Sequence, residues 1–259
     1  MGTQEKRRQA EAVRVLPLGD TAWTVEFGNR IDPALHGRVL GLLDALEHSR
    51  ADAAFRGIVD IVPTFRSLTV HFDPLACDGE RLGADLLALA QTTGAASISG
   101  RHWHLPVCFD DDLAPDLADL AQAKGLTRES VIERLTATSF QVYLIGFMPG
   151  FPYMGGLPAE LEMPRLSSPR KAVPARSLAV AGAMCAVYPW ESPGGWRLLG
   201  RTPVPMFSAH DEVSPALLAS GDRVTWRAVG RDEFSAMEAA AAAGQLPRDS
   251  LLADVEATS

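Results

Sequence analysis

From Tyr143 to Phe207 the chain reads YLIGFMPGFPYMGGLPAELEMPRLSSPRKAVPARSLAVAGAMCAVYPWESPGGWRLLGRTPVPMF, and the fold is decided by this stretch. Gly supplies backbone conformations closed to other residues, and Pro fixes φ and removes a donor. Interleaved with short apolar runs, they specify rigid, shaped loops on an all-β scaffold. Loops of that kind are where sites tend to be built.

Around this stretch the strands are expected to be short, at 142–147, 178–181, 186–188, 196–201 and 223–228. Pro- and Gly-rich loops separate them, a spacing that suits a barrel or a sandwich. Immediately upstream lie a strand over 104–109, a helix over 113–124 stopped by Gly125, and a helix from Thr127 to about Thr136. Further upstream the pattern changes. Strands at 14–18, 22–27, 57–62 and 67–72 alternate with two amphipathic helices. The first helix starts at Asp32-Pro33, with Asp as N-cap and Pro at the first helical position. Leu35, Val39, Leu42, Leu43 and Leu46 fall on one of its faces. The second runs over 79–91. Two helices on one face of an antiparallel sheet make a small α+β sandwich. The expected organisation is a disordered lead-in over 1–12, an N-terminal α+β domain over 13–95, a mainly β domain, barrel or sandwich, over 96–231 and an Ala-rich helical tail over 232–259.

The 259 residues carry a net charge of −8, which argues against non-specific nucleic-acid binding. No apolar run approaches the length that crosses a bilayer. The opening MGTQEKRRQAEAVRV has no apolar core behind its charges, so no secretory signal is expected. Cys77, Cys108 and Cys185 are scattered and odd in number, which fits reduced thiols in a cytoplasm. The three lysines, Lys6, Lys124 and Lys171, do not follow glycines, so there is no Walker A motif.

HExxH, CxxC and GxSxG are also absent, and no metal site is expected. His102 and His104 share one strand face and read as a surface pair. Cys185 reads as a buried, inert thiol. Asp110, Asp111 and Asp112 read as acids complementing the start of the next helix, with Mg²⁺ binding as the rival reading. The segment from Gly146 to Gly156 is either a tight barrel corner or a binding loop built on backbone donors. Arg165, Arg170 and Lys171 place three cations near one loop, and Arg201-Thr202 adds another at a strand end; Arg forks suit carboxylate or phosphate. The run Glu191-Ser192-Pro193-Gly194-Gly195-Trp196 offers an acid, a hydroxyl and two successive glycine N–H groups, a candidate anion nest. A hairpin turn with a buried Trp explains the same residues.

The blocks GFMPGFPYMGGL, PRLSSPR, VPARS and ESPGGWRLLGRTP together resemble the signature of the 5-oxoprolinase B-subunit family, which is also the KipI family. The likeness extends to LGDTAWTVEFG, DIVPTFRSLTVHFDP, LPVCFDDDLAPDLADLA and SGDRVTWRAV, and so covers most of 14–229. It implies an α+β fold in which a small α/β sandwich is followed by a cyclophilin-like β-barrel domain. It also implies a complex with two partners of the 5-oxoprolinase system, a C-type protein and a LamB/YcsF-type (A-type) protein. That complex opens 5-oxo-L-proline to L-glutamate with ATP, supplied with Mg, as co-substrate. Candidate catalytic residues are Glu191, Ser177 and Arg170. Candidate substrate- or ATP-binding residues are Arg165, Ser192, Gly194, Gly195, Trp196, Arg201 and Thr202. A KipI-like inhibitor of a sensor histidine kinase, and a carboxyltransferase module of a urea-carboxylase-like system, are the alternatives. The chain departs from the family pattern at Leu135, where a His is usual, at Arg176 and Ala179, where glycines are usual, and at Met184-Cys185-Ala186, where Gln-Thr-Gly is usual. At pocket-lining positions, Arg, Met and Cys would change polarity and volume.

Overall fold

A computed structural model describes residues 12–95 and 100–253. Apart from Ala12, the expected lead-in lies outside the described residues, and so does the end of the tail, 254–259. The chain forms two compact units, 1–99 and 100–259.

In the first unit β1 (Arg14–Pro17), β2 (Ala22–Glu26), β3 (Ile58–Pro63) and β4 (Ser67–Phe72) form an antiparallel sheet in the order β1-β2-β4-β3. Helices α1 (Pro33–His48) and α2 (Gly79–Thr92) share one core with it. The alternation of β4 sends Leu68, Val70 and Phe72 inward, where they meet Val39, Leu42 and Leu46 of α1 and Leu82 and Leu86 of α2. Each such side chain, once buried, contributes roughly 1.5–3 kcal/mol. Asp32 caps α1 as its position predicts, accepting from the N–H groups of Ala34 at 2.8 Å and Leu35 at 3.4 Å. Asp78 caps α2 in the same way.

In the second unit seven strands form one sheet: β5 (His102–Val107), β6 (Ser139–Ile145), β7 (Pro152–Gly155), β9 (Ser177–Ala181), β10 (Met184–Val187), β12 (Arg197–Arg201) and β13 (Arg223–Ala228). The order is β12-β9-β10-β7-β6-β13-β5, with β5 and β13 parallel. Cys108, just beyond β5, bridges Arg201 at the end of β12, so the two outer strands meet and the sheet curls closed. A separate ribbon pairs β8 (Arg170–Val173) with β11 (Ser192–Gly194). Helices α3 (Leu117–Lys124) and α4 (Arg128–Ala137) follow β5, and α5 (Arg231–Ala242) follows β13. At the other end of β5, buried Asp222 accepts from the N–H groups of Arg101 and Ala219 and from the Trp103 indole, each at 2.9 Å. The fold is therefore α+β, with a curled barrel sheet in the second unit.

Several local expectations need correction. Strands β7, β8 and β11 are three or four residues long, with Pro and Gly in β7 and β11, and periodicity does not reveal them. The helix expected from Leu113 starts at Leu117. Leu113 and Ala114 instead donate to the Asp110 carbonyl in a turn, and Pro115, which lacks an N–H, follows. The three aspartates consequently do not sit at a helix start. Arg231 takes Asp110 and Asp112, and Arg128 takes Asp111.

Candidate functional site

The two faces of the curled sheet differ in character. Leu178, Val180, Cys185, Val187, Met154 and Leu199 point into the large interior core. Cys185 of β10 lies toward the indole of Trp226 on β13, and these strands are not neighbours, so this core is the inside of the barrel. Alternate residues point outward: Ala179, Ala181, Ala186 and Leu198, joined by Tyr153 and Met184. The small alanines leave room for rings. Phe151 stacks edge-on against Tyr188 at 5.2 Å and Trp196 at 6.0 Å, and Tyr153 lies 5.9 Å from Trp196.

The ribbon β8–β11 lies beside this aromatic cluster through Val173 and Trp196. It gathers most of the ligand-binding candidates. Arg170 pairs with Gly194 in register, and Leu166 N–H donates to the Gly195 carbonyl at 2.7 Å. The Arg165 guanidinium lies over the Trp196 ring at 5.7 Å. Arg170 donates to the Trp196 carbonyl at 3.4 Å and to Asp116 at 2.6 Å. Ser192 Oγ is buried without a hydrogen-bond partner among the described residues. Burial raises the phenol pKa of both Tyr153 and Tyr188, and the Arg165 charge opposes that rise. The region therefore combines two guanidinium groups, two phenols and a hydroxyl around an aromatic floor, a chemistry suited to a small anionic ligand.

The two glycines do not form the expected nest. Neither has a positive φ, and Gly194 is extended within β11. A Cβ on Gly194 would sit 2.4 Å from Tyr188 Oη, so this glycine is required by the ring beside it.

Ser177, Arg201 and Thr202 form a second group where the barrel closes. Arg201 pairs with Ser177 in register, and its Nε donates to the Ala175 carbonyl at 2.9 Å. Ser177 Oγ donates to the Pro174 carbonyl at 2.7 Å, and Thr202 Oγ accepts from the Val204 N–H at 3.2 Å. Both hydroxyls are buried and committed to the backbone. Arg176 joins this group at φ 67 and pairs with Glu238 of α5, with a further bond to the Pro203 carbonyl at 3.0 Å. Burial, followed by the neighbouring Arg176 charge, lowers the pKa of Arg201. Glu191 is exposed at the start of β11.

The departures fall in different places. Leu135 and Cys185 are in the barrel interior, so the expectation that Cys185 lines a pocket is corrected, whereas Ala179 and Met184 face the aromatic cluster. Burial pushes the Cys185 thiol pKa far up. The 146–151 segment is a tight corner between β6 and β7: Gly146 N–H donates to the Phe151 carbonyl at 3.1 Å, and Phe151 N–H to that of Met148 at 3.1 Å. It leaves Phe147 exposed at φ 70. His102 meets Thr225 Oγ1 at 2.9 Å and His104 ring to ring at 5.0 Å. No group of three His, Cys, Asp or Glu side chains is placed to hold a metal ion among the described residues. Nor is any described helix long and apolar enough to cross a membrane. Two contributors were missed in the sequence. Asp116 falls within the helix expected over 113–124, and Tyr188 reads as an ordinary strand residue; neither position carries a signal of its long-range partner.

Comparison with known proteins bears on the whole of this arrangement. A family model described as carboxyltransferase domain, subdomain C and D, matches residues 13–218. A Bacillus subtilis (strain 168) protein named as the B subunit of 5-oxoprolinase is 33% identical over 230 residues, covering 85% of this chain and 94% of that protein. The crystal structure of TTHA0988 matches with a TM-score of 0.70 and 34% identity, over 81% of this chain but only 40% of that one. The K. lactis urea amidolyase structure matches with a TM-score of 0.72 at 21% identity, over 90% of this chain and 16% of that one, which shows a common fold alone. Motif blocks, barrel topology and relatives agree, and the chain belongs to the 5-oxoprolinase B-subunit family of carboxyltransferase subdomain C and D proteins.

Proposed function

We propose that this chain is the B subunit of an ATP-dependent 5-oxoprolinase complex, a hydrolase acting on a cyclic amide and active only with a C-type protein and a LamB/YcsF-type (A-type) protein. The observation that carries the reading is the match to a protein named as the B subunit of 5-oxoprolinase over nearly its whole length. The anion-suited group of Arg165, Arg170, Tyr153, Tyr188 and Ser192 is consistent with it. A lactam resists water at neutral pH because its nitrogen shares its lone pair with the carbonyl. Phosphorylating the lactam oxygen from MgATP, with ADP as the leaving group, makes the carbon electrophilic. Water then adds to that carbon and the C–N bond opens, freeing the amino group and leaving an acyl phosphate, and a second water displaces phosphate to give L-glutamate. Such chemistry asks of the protein mainly positioning and charge stabilisation. In this reading Arg165 and Arg170 meet anionic oxygens, while Ser192 and the phenols supply hydrogen bonds. Ser177 and Thr202 support the closure, and Glu191 remains available at the surface as an acid or base.

The test is reconstitution with the C- and A-type proteins, measuring ATP hydrolysis with and without 5-oxo-L-proline. Hydrolysis dependent on 5-oxo-L-proline is expected. Absence of turnover with well-folded partners would overturn the proposal. The family model's description favours one second reading, carboxyl transfer. Its expected signature is transfer from a carboxylated biotin carrier in the same mixture.

A further inference from the structure

Asp116 occupies the N-cap position of α3 but does not act as a cap. An Asp in that position ordinarily accepts from the first free N–H groups of its helix. Here both carboxylate oxygens are turned elsewhere. Oδ1 accepts from Arg170 Nη2 at 2.6 Å, and Oδ2 accepts from the Leu198 N–H at 2.6 Å. The Asp116 N–H also donates to the Leu198 carbonyl at 3.0 Å. The residue is only 4% exposed. One buried carboxylate thus joins the start of α3, the barrel strand β12 and the first residue of the ribbon strand β8.

The joined group is a cation of the candidate site. A guanidinium has five N–H donors. Asp116 takes one of those on Arg170 and the Trp196 carbonyl a second, on the other terminal nitrogen. The rest have no acceptor among the described residues. The Arg170 side chain is also partly open to solvent, while Asp116 beneath it is buried. A long, flexible side chain is thereby held at its protected end, with donors left over at its open end. An arginine held this way loses less freedom on meeting a ligand than one that must first be ordered.

We propose that Asp116 is the positioning residue of this site, holding Arg170 so that its remaining donors meet a carboxylate or phosphoryl oxygen of the ligand. This rests on the proposed function, in which Arg170 contacts that anion. Asp116 acts only through Arg170 and touches no reacting atom. Its contribution is to binding in ground state and transition state alike, so its loss appears in KM more than in kcat.

The experiment uses the reconstituted complex, with 5-oxo-L-proline and ATP varied separately. Asp116→Asn retains one oxygen acceptor but presents an amide to the other partner. KM for one of the two substrates is expected to rise on the order of ten- to a hundredfold, with kcat changed far less. Asp116→Glu, which keeps the charge, should recover part of the loss. In an Arg170→Ala background, Asp116→Asn should add nothing further to KM. Asp222→Asn is the control, because it removes a buried carboxylate from the same unit at a position bonded to other partners. It should lower thermal stability and leave KM unchanged. The inference is overturned if the Asp116 variants retain the wild-type KM, if the Asp222→Asn control raises KM as they do, or if Asp116→Asn acts fully without Arg170. If Asp116→Asn fails to fold, Asp116→Glu and Arg170→Lys carry the same comparison. A wild-type complex without turnover defeats the proposed function itself, an outcome distinct from an active complex indifferent to Asp116.

Discussion

Cys108 and Arg201 exchange both backbone hydrogen bonds, N–H to carbonyl at 2.9 Å in one direction and 3.0 Å in the other. This single bridge brings the outer strands of the seven-stranded sheet together and fixes where the Arg201 side chain emerges. Gly200 lies beside it because a Cβ there would come within 2.6 Å of Val107 Cγ1 and 3.1 Å of the Cys108 carbonyl oxygen. Gly200→Val is expected to destabilise the second unit by roughly 1–3 kcal/mol, read as a lower urea midpoint. A midpoint equal to that of wild type would show that the strands close without this contact.

Gly194→Ala tests the packing of ribbon on ring. The added methyl group would meet Tyr188 Oη at 2.4 Å, so the ring or the ribbon must move. A cost of about 1–3 kcal/mol is expected, with a changed near-ultraviolet signal from the Tyr188–Phe151–Trp196 cluster. Unchanged aromatic dichroism would contradict the contact.

Arg176 sits at φ 67, where a Cβ is strained. Its side chain meanwhile pairs with Glu238 and bonds the Pro203 carbonyl. Arg176→Ala keeps the strain and loses both contacts, whereas Arg176→Gly loses the contacts and relieves the strain. The glycine variant should therefore be the more stable of the two, by roughly 1 kcal/mol. Equal stabilities in thermal melts would exclude the strain.

Thiol reactivity should be sharply divided. Cys108 and Cys185 are buried, and Cys77 is partly exposed. Burial raises all three thiol pKa values, and for Cys77 the nearby Asp73 and Asp78 charges add to it. At pH 8 an aromatic disulfide reagent should label only Cys77 in the native protein, and more slowly than a free cysteine. The rate should rise as pH passes the ordinary thiol value of 9.0. Rapid labelling of Cys185 would overturn its interior placement.

Acid should weaken the first unit through Glu26. Hydrogen bonds from Arg14 and Arg66 hold its carboxyl pKa below the ordinary value of 4.5. A depressed folded pKa adds stability above the unfolded value, and that stability is lost as pH falls through the folded one. Glu26→Gln should lower the denaturation midpoint at pH 7 and make much less difference at pH 3. A gap that persists undiminished at the lower pH would assign the loss to packing instead.

What could be read from the sequence followed the range of the interactions. The α1 start was legible because Asp32 acts on residues two and three places on. The alternation of β4 was legible because one face of its sheet is buried. The aromatic and arginine residues of the ribbon were legible as site candidates through the resemblance. Their actual bonds were not. Asp116 reaches a residue 54 positions away, and β8 and β11 exist only because they pair with each other across a loop. The Gly194-Gly195 pair suggested a nest, but a close ring explains Gly194 equally well in sequence, and only the backbone angles separate the two.

The parallel pairing of β5 with β13 has a consequence for the chain as it is made. His102 through Val107 pair with Arg223 through Ala228, about 120 residues later, and Trp103 bridges Leu252 later still. On a ribosome the first barrel strand therefore emerges long before the strand that lies beside it. Throughout that interval its edge is open to wrong pairings. Loop-closure entropy must be met before this long-range contact forms, so the barrel is expected to complete late and slowly. Production of this protein is therefore most exposed to misfolding and aggregation during synthesis of the second unit, and chaperone supply or lower temperature should act chiefly there.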